Sequence, residues 1–169
     1  MGTTGYLRPQ TKPTMQTPDA LEAVARFHRT FQAPVLDTPT IPDDSRCALR
    51  VNLLAEELQE LRDAIAARDL VEIADALCDL QYVLSGAVLE FGLGDRFKAL
   101  FDEVQRSNMS KTCTTRAIAE ATRAHYRERD GVDSHIREVN GVFLVLREPD
   151  HKVLKSVAYS PAALAPLLE

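Results

Sequence analysis

The sequence predicts a mainly α-helical protein: a bundle of about five helices followed by a small C-terminal antiparallel β-meander. Three observations carry that prediction. Apolar residues recur every three or four positions through five segments before residue 130. Those segments open near Asp or Thr, and the third and fifth close on glycine, as helix ends favour. Beyond residue 131 the period falls to two, around Asn140-Gly141. The implied organisation is a flexible leader (1–16), a helical domain (17–130) and a meander appendage (131–169).

The first helix is expected from about Thr17 to Gln32, opened by Thr17-Pro18-Asp19 and striped by Leu21, Val24, Phe27 and Phe31. Residues 33–42 hold Pro34, Pro39 and Pro42 and read as an extended connection. Asp43 or Asp44 caps a second helix to about Ala67, with Leu54, Leu58, Leu61 and Ile65 along one face. Asp69 caps a third to about Phe91, striped by Ile73, Leu77, Leu80, Leu84 and Val88 and ended by Gly92 and Gly94. A fourth covers about Asp95 to Asn108, with Phe97, Leu100, Phe101 and Val104. Thr114 or Thr115 caps a fifth, to about Arg129, which stops at Asp130-Gly131. Three strands follow: one led by Ile136 and Val139, one from Val142 to Leu146, and one through Val153, Leu154 and Val157. A short helical turn is expected after Pro161.

With 45% apolar and 27% charged residues among 169, the chain has the balance of a folded globular protein. No run approaches the ~20 apolar residues of a membrane-spanning helix, so no membrane partner is expected. The leader lacks the apolar core of a signal peptide, and Tyr6 stands where a myristoylation motif needs Ser or Thr. Three widely spaced cysteines (Cys47, Cys78, Cys113) do not make a disulfide framework and fit a cytoplasmic location. The net charge of −5 is uneven: residues 43–90 hold eleven acidic residues and four arginines, whereas residues 113–169 hold eight of each sign. Binding to nucleic acid draws on positive charge, so no nucleic-acid partner is expected.

The acidity is concentrated on the second and third helices. Glu56, Glu57 and Glu60 project from neighbouring turns of one. On the other, Glu72, Asp75 and Asp79 fall within an arc of roughly 60° at helical pitch. They are the only charged residues between Val71 and Leu89, and Ala76, Val83 and Ala87 share or flank their arc. A solvated helix face would account for the second helix alone. It accounts less well for Asp75 and Asp79, because mid-helix aspartate has poor propensity. Like charges at this spacing repel and unpaired buried carboxylates are costly, so the two helices together call for a cation. Six carboxylates without histidine or cysteine are hard oxygen donors, suited to Mg²⁺ with Mn²⁺ as a substitute.

The run Leu49-Arg50-x-x-Leu53-x-x-Glu56-Glu57-x-x-Glu60, followed by a helix carrying Asp79-Leu80-Gln81-Tyr82-Val83, resembles the all-α nucleoside triphosphate pyrophosphohydrolases. That group includes MazG-like, dimeric dUTPase-like and phosphoribosyl-ATP pyrophosphohydrolase-like enzymes. The likeness runs from Phe27-His28-Arg29 to Ser107-Asn108-Met109-Ser110-Lys111. It implies a Glu-Glu-x-x-Glu motif at Glu56, Glu57 and Glu60, and a second motif ending at Asp79. The chain departs from the pattern at Ala76, where a glutamate is expected three residues before Asp79. Either Asp75 replaces it, or Glu72-x-x-Asp75 is itself the second motif and Asp79 an extra ligand.

The resemblance implies Mg²⁺-dependent cleavage of a (deoxy)nucleoside triphosphate between its α- and β-phosphates, giving monophosphate and pyrophosphate, in the service of nucleotide-pool cleansing. Glu56, Glu60, Asp75 and Asp79 are the expected metal ligands, with Glu72 as a further candidate and Glu57 as the base. Arg106 and Lys111 are candidates for the outer phosphates and Asn108 for phosphate or sugar. His28 and Gln32 are candidates to line a base pocket, and Tyr82 to stack on the base. Two rivals stand beside this reading. A di-iron bundle would need Glu-x-x-His pairs, and none of His28, His125, His135 and His151 follows that spacing. A non-enzymatic oligomerisation module would use the acids as a cation-stabilised surface. The third helix is apolar on nearly all sides, which predicts a homodimer or homotetramer.

Overall fold

The computed structural model describes residues 15–148 and 150–169, so all but the last two residues of the expected leader lie outside it. Among the described residues there are five α-helices and a two-stranded antiparallel sheet: α1 (Ala20–Thr30), α2 (Asp44–Ala67), α3 (Leu70–Glu90), α4 (Phe97–Met109), α5 (Arg116–Asp130), β1 (Ser134–Val139) and β2 (Val142–Arg147). They divide into two compact units. One holds the chain up to Val35 and Ile41–Glu90, the other Leu36–Thr40 and Phe91–Glu169.

In the first unit α2 and α3 form an antiparallel hairpin and α1 packs on α3. Asp43 caps α2 by accepting the Arg46 N–H at 3.0 Å. Arg68 then takes the left-handed conformation (φ 56°), its N–H returning to the Ala64 and Ile65 carbonyls. Asp69 follows at once and accepts from the Val71 and Glu72 N–H groups at 2.9 and 3.3 Å, starting α3. So short a connection forces the two helices side by side, with Glu57 level with Asp79 and Arg46 level with Glu90. The first helix starts later than expected: Ala20 opens it, and the Asp19 side chain makes no capping bond. A small core of Val24, Ala25 and Leu89, with Val35 against it, joins α1 to α3.

The expected apolar stripes are only partly covered. Leu58 and Ile65 on α2 are 41% and 56% exposed, and Leu77 and Leu84 on α3 are 52% and 40% exposed. The faces that meet carry charged and small residues instead, including Arg50, Glu57 and Ala64 on α2 and Ala76, Gly86 and Glu90 on α3.

In the second unit Thr115 caps α5 through the Ile118 N–H, and left-handed Gly131 ends it. Asn140 and Gly141 both have positive φ (51° and 81°), as a tight type I′ hairpin requires, and Ser134 pairs with Arg147 at the open end. The helix α5 packs on both strands around Cys113, Ala119, Val145 and Leu154, so α5 and the hairpin share a core. Gly92 is obligatory: at φ 66° an added Cβ would lie 1.8 Å from the Thr38 carbonyl oxygen.

The three-stranded meander is corrected to a two-stranded hairpin. Val153 makes only an isolated bridge to Leu146, with Leu154 donating to the Val145 carbonyl. The next donors leave the sheet: Ser156 N–H goes to the Lys111 carbonyl and Val157 N–H to Thr122 Oγ1, at 3.1 Å each. The expected fourth helix is likewise divided, into a 3₁₀ turn at Gly94–Arg96 and α4. A second such turn, Ala165–Leu167, follows Pro161.

Candidate active site

The hairpin of α2 and α3 brings the acidic residues of both helices together. Glu57 is at the centre. Burial, then the charges of Glu60, Asp79, Glu56 and Asp75 in falling order, push its carboxyl above the ordinary glutamate range. Its Oε2 is buried and has no hydrogen-bond partner. Among the described residues none of Glu56, Glu57, Glu60, Glu72, Asp75 and Asp79 forms an ion pair. Toward the connection the helices open into a groove of about 330 Å³, lined by Glu60, Asp63, Glu72 and Asp75 with Ala64, Ala67 and Ala76. Glu72 therefore shares this groove with Asp75, while Asp79 lies nearer Glu57.

Asp63, not selected from the sequence, belongs to the same groove. Its spacing from Glu56 and Glu60, at offsets seven and three, was the available signal. At the far end of the hairpin the sign reverses. Glu90, 1% exposed, accepts hydrogen bonds from Arg46 and from Arg50, itself buried. Burial raises the Glu90 carboxyl, but the bonds from Arg50 and then Arg46 outweigh it and hold it below its usual range. Glu90 lies eleven residues beyond Asp79, hence on nearly the same helical arc.

His28 is buried. Its Nδ1 donates to the Pro34 carbonyl at 2.8 Å, so that nitrogen carries the proton, and its Nε2 faces Gly86. An added Cβ on Gly86 would lie 2.7 Å from Arg50 Nη1 and 3.0 Å from His28 Nε2, so glycine makes room for both. Gln32 is exposed, in a left-handed conformation just past α1. Tyr82 meets Phe27 edge-on at 5.6 Å and lines an apolar groove of about 570 Å³ between α1 and α3, with Ala23, Arg26, Leu77 and Gln81.

Arg106, Asn108 and Lys111 belong to the second unit. The Arg106 guanidinium donates to Glu103 at 2.7 and 2.8 Å and to the Pro161 carbonyl at 3.0 Å. With a further bond from the Ala163 N–H, Arg106 holds the Glu103 carboxyl down to about 2. Lys111 donates to the Asn108 side-chain carbonyl at 2.8 Å.

Comparison with known proteins gives two findings. The family model for phosphoribosyl-ATP pyrophosphohydrolase matches residues 24–108. A curated relative, uncharacterized protein L479 of Acanthamoeba polyphaga mimivirus, is 32% identical over 94 residues, covering 53% of this chain and 38% of its own length. The chain thus spans less than half of that relative. Among the described residues no single helix is long and apolar enough to cross a membrane.

Proposed function

The chain belongs to the phosphoribosyl-ATP pyrophosphohydrolase family, within the MazG-like all-α superfamily, and on that footing we propose that it is a Mg²⁺-dependent nucleoside triphosphate pyrophosphohydrolase. Membership supports a nucleotide pyrophosphohydrolase type of activity. The observation that supports the metal is the orphaned, buried Glu57 Oε2 among four further carboxylates. Hard oxygen donors in that number fit Mg²⁺ or Mn²⁺. Bound there, Mg²⁺ would offset the triphosphate's charge and acidify the water that attacks it.

Glu56, Glu60, Asp75 and Asp79 would hold the metal, with Glu72, which lines the same groove as Glu60 and Asp75, as a further candidate. Glu57, raised in proton affinity by burial and then by its neighbours' charges, takes the proton from the attacking water. Water adds across the α–β anhydride: its oxygen joins one phosphorus and the bridging oxygen leaves with the other. Tyr82, in an apolar groove on the same unit, is the candidate to stack on the base. The role is nucleotide-pool cleansing in the cytoplasm.

A panel of nucleoside triphosphates and phosphoribosyl-ATP, incubated with Mg²⁺, should give metal-dependent pyrophosphate release. Glu60→Gln should abolish it without unfolding the chain. Undiminished turnover in that variant sinks the assignment. The uncovered leucines and Ile65 of α2 and α3, beside the exposed Phe27, Phe31 and Tyr82, favour a second copy against this unit. Sedimentation should therefore give a dimer or tetramer, and a monomer across the micromolar range would remove that part of the proposal.

A further inference from the structure

Three side chains, one from β1 and two from the segment that follows β2, meet on the hairpin. His135 sits on β1 opposite Leu146. Glu148 lies two residues beyond Leu146, and so on the same face of the ladder, which its N–H extends by bonding the Asp133 carbonyl at 2.9 Å. His151 arrives through the turn that follows. Its N–H bonds the Arg147 carbonyl at 2.8 Å, and Lys152 closes the turn by accepting the Arg147 N–H at 2.9 Å.

The turn is fixed from outside the trio. Arg147 Nε donates to Asp150 Oδ1 at 2.9 Å, and the Lys152 N–H reaches that same oxygen at 3.2 Å. His151 is held at φ 55°, a left-handed conformation that strains a non-glycine residue. The strain brings its ring to within 5.6 Å of the His135 ring, while His135 Nδ1 bonds Glu148 Oε1. One donor atom from each of the three residues lies within 4.8 Å of the other two.

We propose that His135, Glu148 and His151 form a site for a divalent transition-metal ion of the zinc class, separate from the carboxylate array of α2 and α3. Two imidazoles and a carboxylate are the donors such an ion prefers, whereas Mg²⁺ prefers oxygen alone. Donors on a common tetrahedral ion stand roughly 3.3 Å apart, so closure needs side-chain rotation on the order of an ångström. The ion takes the place of the proton that His135 Nδ1 shares with Glu148. His151 and Glu148 are exposed, which leaves the fourth position open to water. Occupancy pins His151 to β1 and offsets its strain.

The test is a calorimetric titration of the full chain with Zn²⁺, in excess Mg²⁺ to occupy the carboxylate array. One equivalent should bind. His135→Ala and His151→Ala should each weaken it at least about tenfold, while Glu60→Gln leaves it unchanged. No uptake by the natural chain, or uptake retained by the double histidine variant, overturns the proposal. Should a variant misfold, imidazole NMR of the natural chain decides: Zn²⁺ should shift His135 and His151 and spare His28 and His125, and any other pattern sinks the site.

Discussion

Glu90→Ala should destabilise the protein by about 3–5 kcal/mol, the largest stability effect expected of a single substitution in α2 and α3. The carboxylate is all but inaccessible and accepts from both Arg46 and Arg50, and Arg50 is buried too. Removing it leaves a guanidinium without a counter-charge in a low-dielectric interface, besides a cavity. Arg50 Nε already lacks a partner, so nothing nearby compensates. Total stabilities of about 5–15 kcal/mol make this a large fraction. Urea unfolding measures it, and an unchanged midpoint refutes it. Replacing Arg46, Arg50 and Glu90 together by methionine and leucine should recover most of the loss, because the cost lies in the unpaired charge. The pH dependence has a definite sign. A carboxyl held below its ordinary range stabilises the fold above that range and loses the contribution as pH falls through the lowered value. The natural chain should show that acid-side slope and Glu90→Ala should not.

The helices were legible because their ends are chemically marked. Asp43, Asp69 and Thr115 cap where expected, and Asn140-Gly141 makes the hairpin turn. The clustering of the acids was legible for a related reason: helical periodicity alone sorts Glu56, Glu57, Glu60, Asp75 and Asp79 to one face each. What depends on pairing in space was not. Periodicity treats Leu58 and Leu84 as core, yet the hairpin turns Arg50, Glu57 and Glu90 inward and leaves those leucines exposed. Glu90 sits just past the span in which the acids stood alone, and its arginine partners are on another helix, 40 and 44 residues earlier. The expected third strand failed because Thr122 and Lys111 compete for its backbone donors, which no local pattern encodes. His135 and His151 carry no metal-binding spacing at all, and only a left-handed turn brings them together.

Glu57→Gln should lower metal-dependent turnover by about 10²–10⁴-fold and, in the absence of metal, make the fold more stable at neutral pH. The two halves follow from one arrangement. Burial and then the charges of Glu60, Asp79, Glu56 and Asp75 raise the carboxyl's proton affinity, so the folded state disfavours the ionised form. A group raised on folding contributes stability below its ordinary range, and that contribution is lost as pH climbs through the raised value. Metal-free protein should therefore weaken as pH climbs above the ordinary glutamate range, a slope opposite in sign to that of Glu90 and absent from Glu57→Gln. Adding Mg²⁺ should reverse the order, because an ion that binds only the folded chain stabilises it by mass action, and the variant has one fewer charge to attract it. Thermal unfolding at several pH values, with Mg²⁺ and with chelator, separates these terms. A variant less stable than the natural chain at neutral pH in chelator would show that Glu57 is held by bonds rather than crowded by charge. Natural turnover in that variant would remove it from proton transfer while leaving the proposed metal ligands in place, since Glu60→Gln probes those independently.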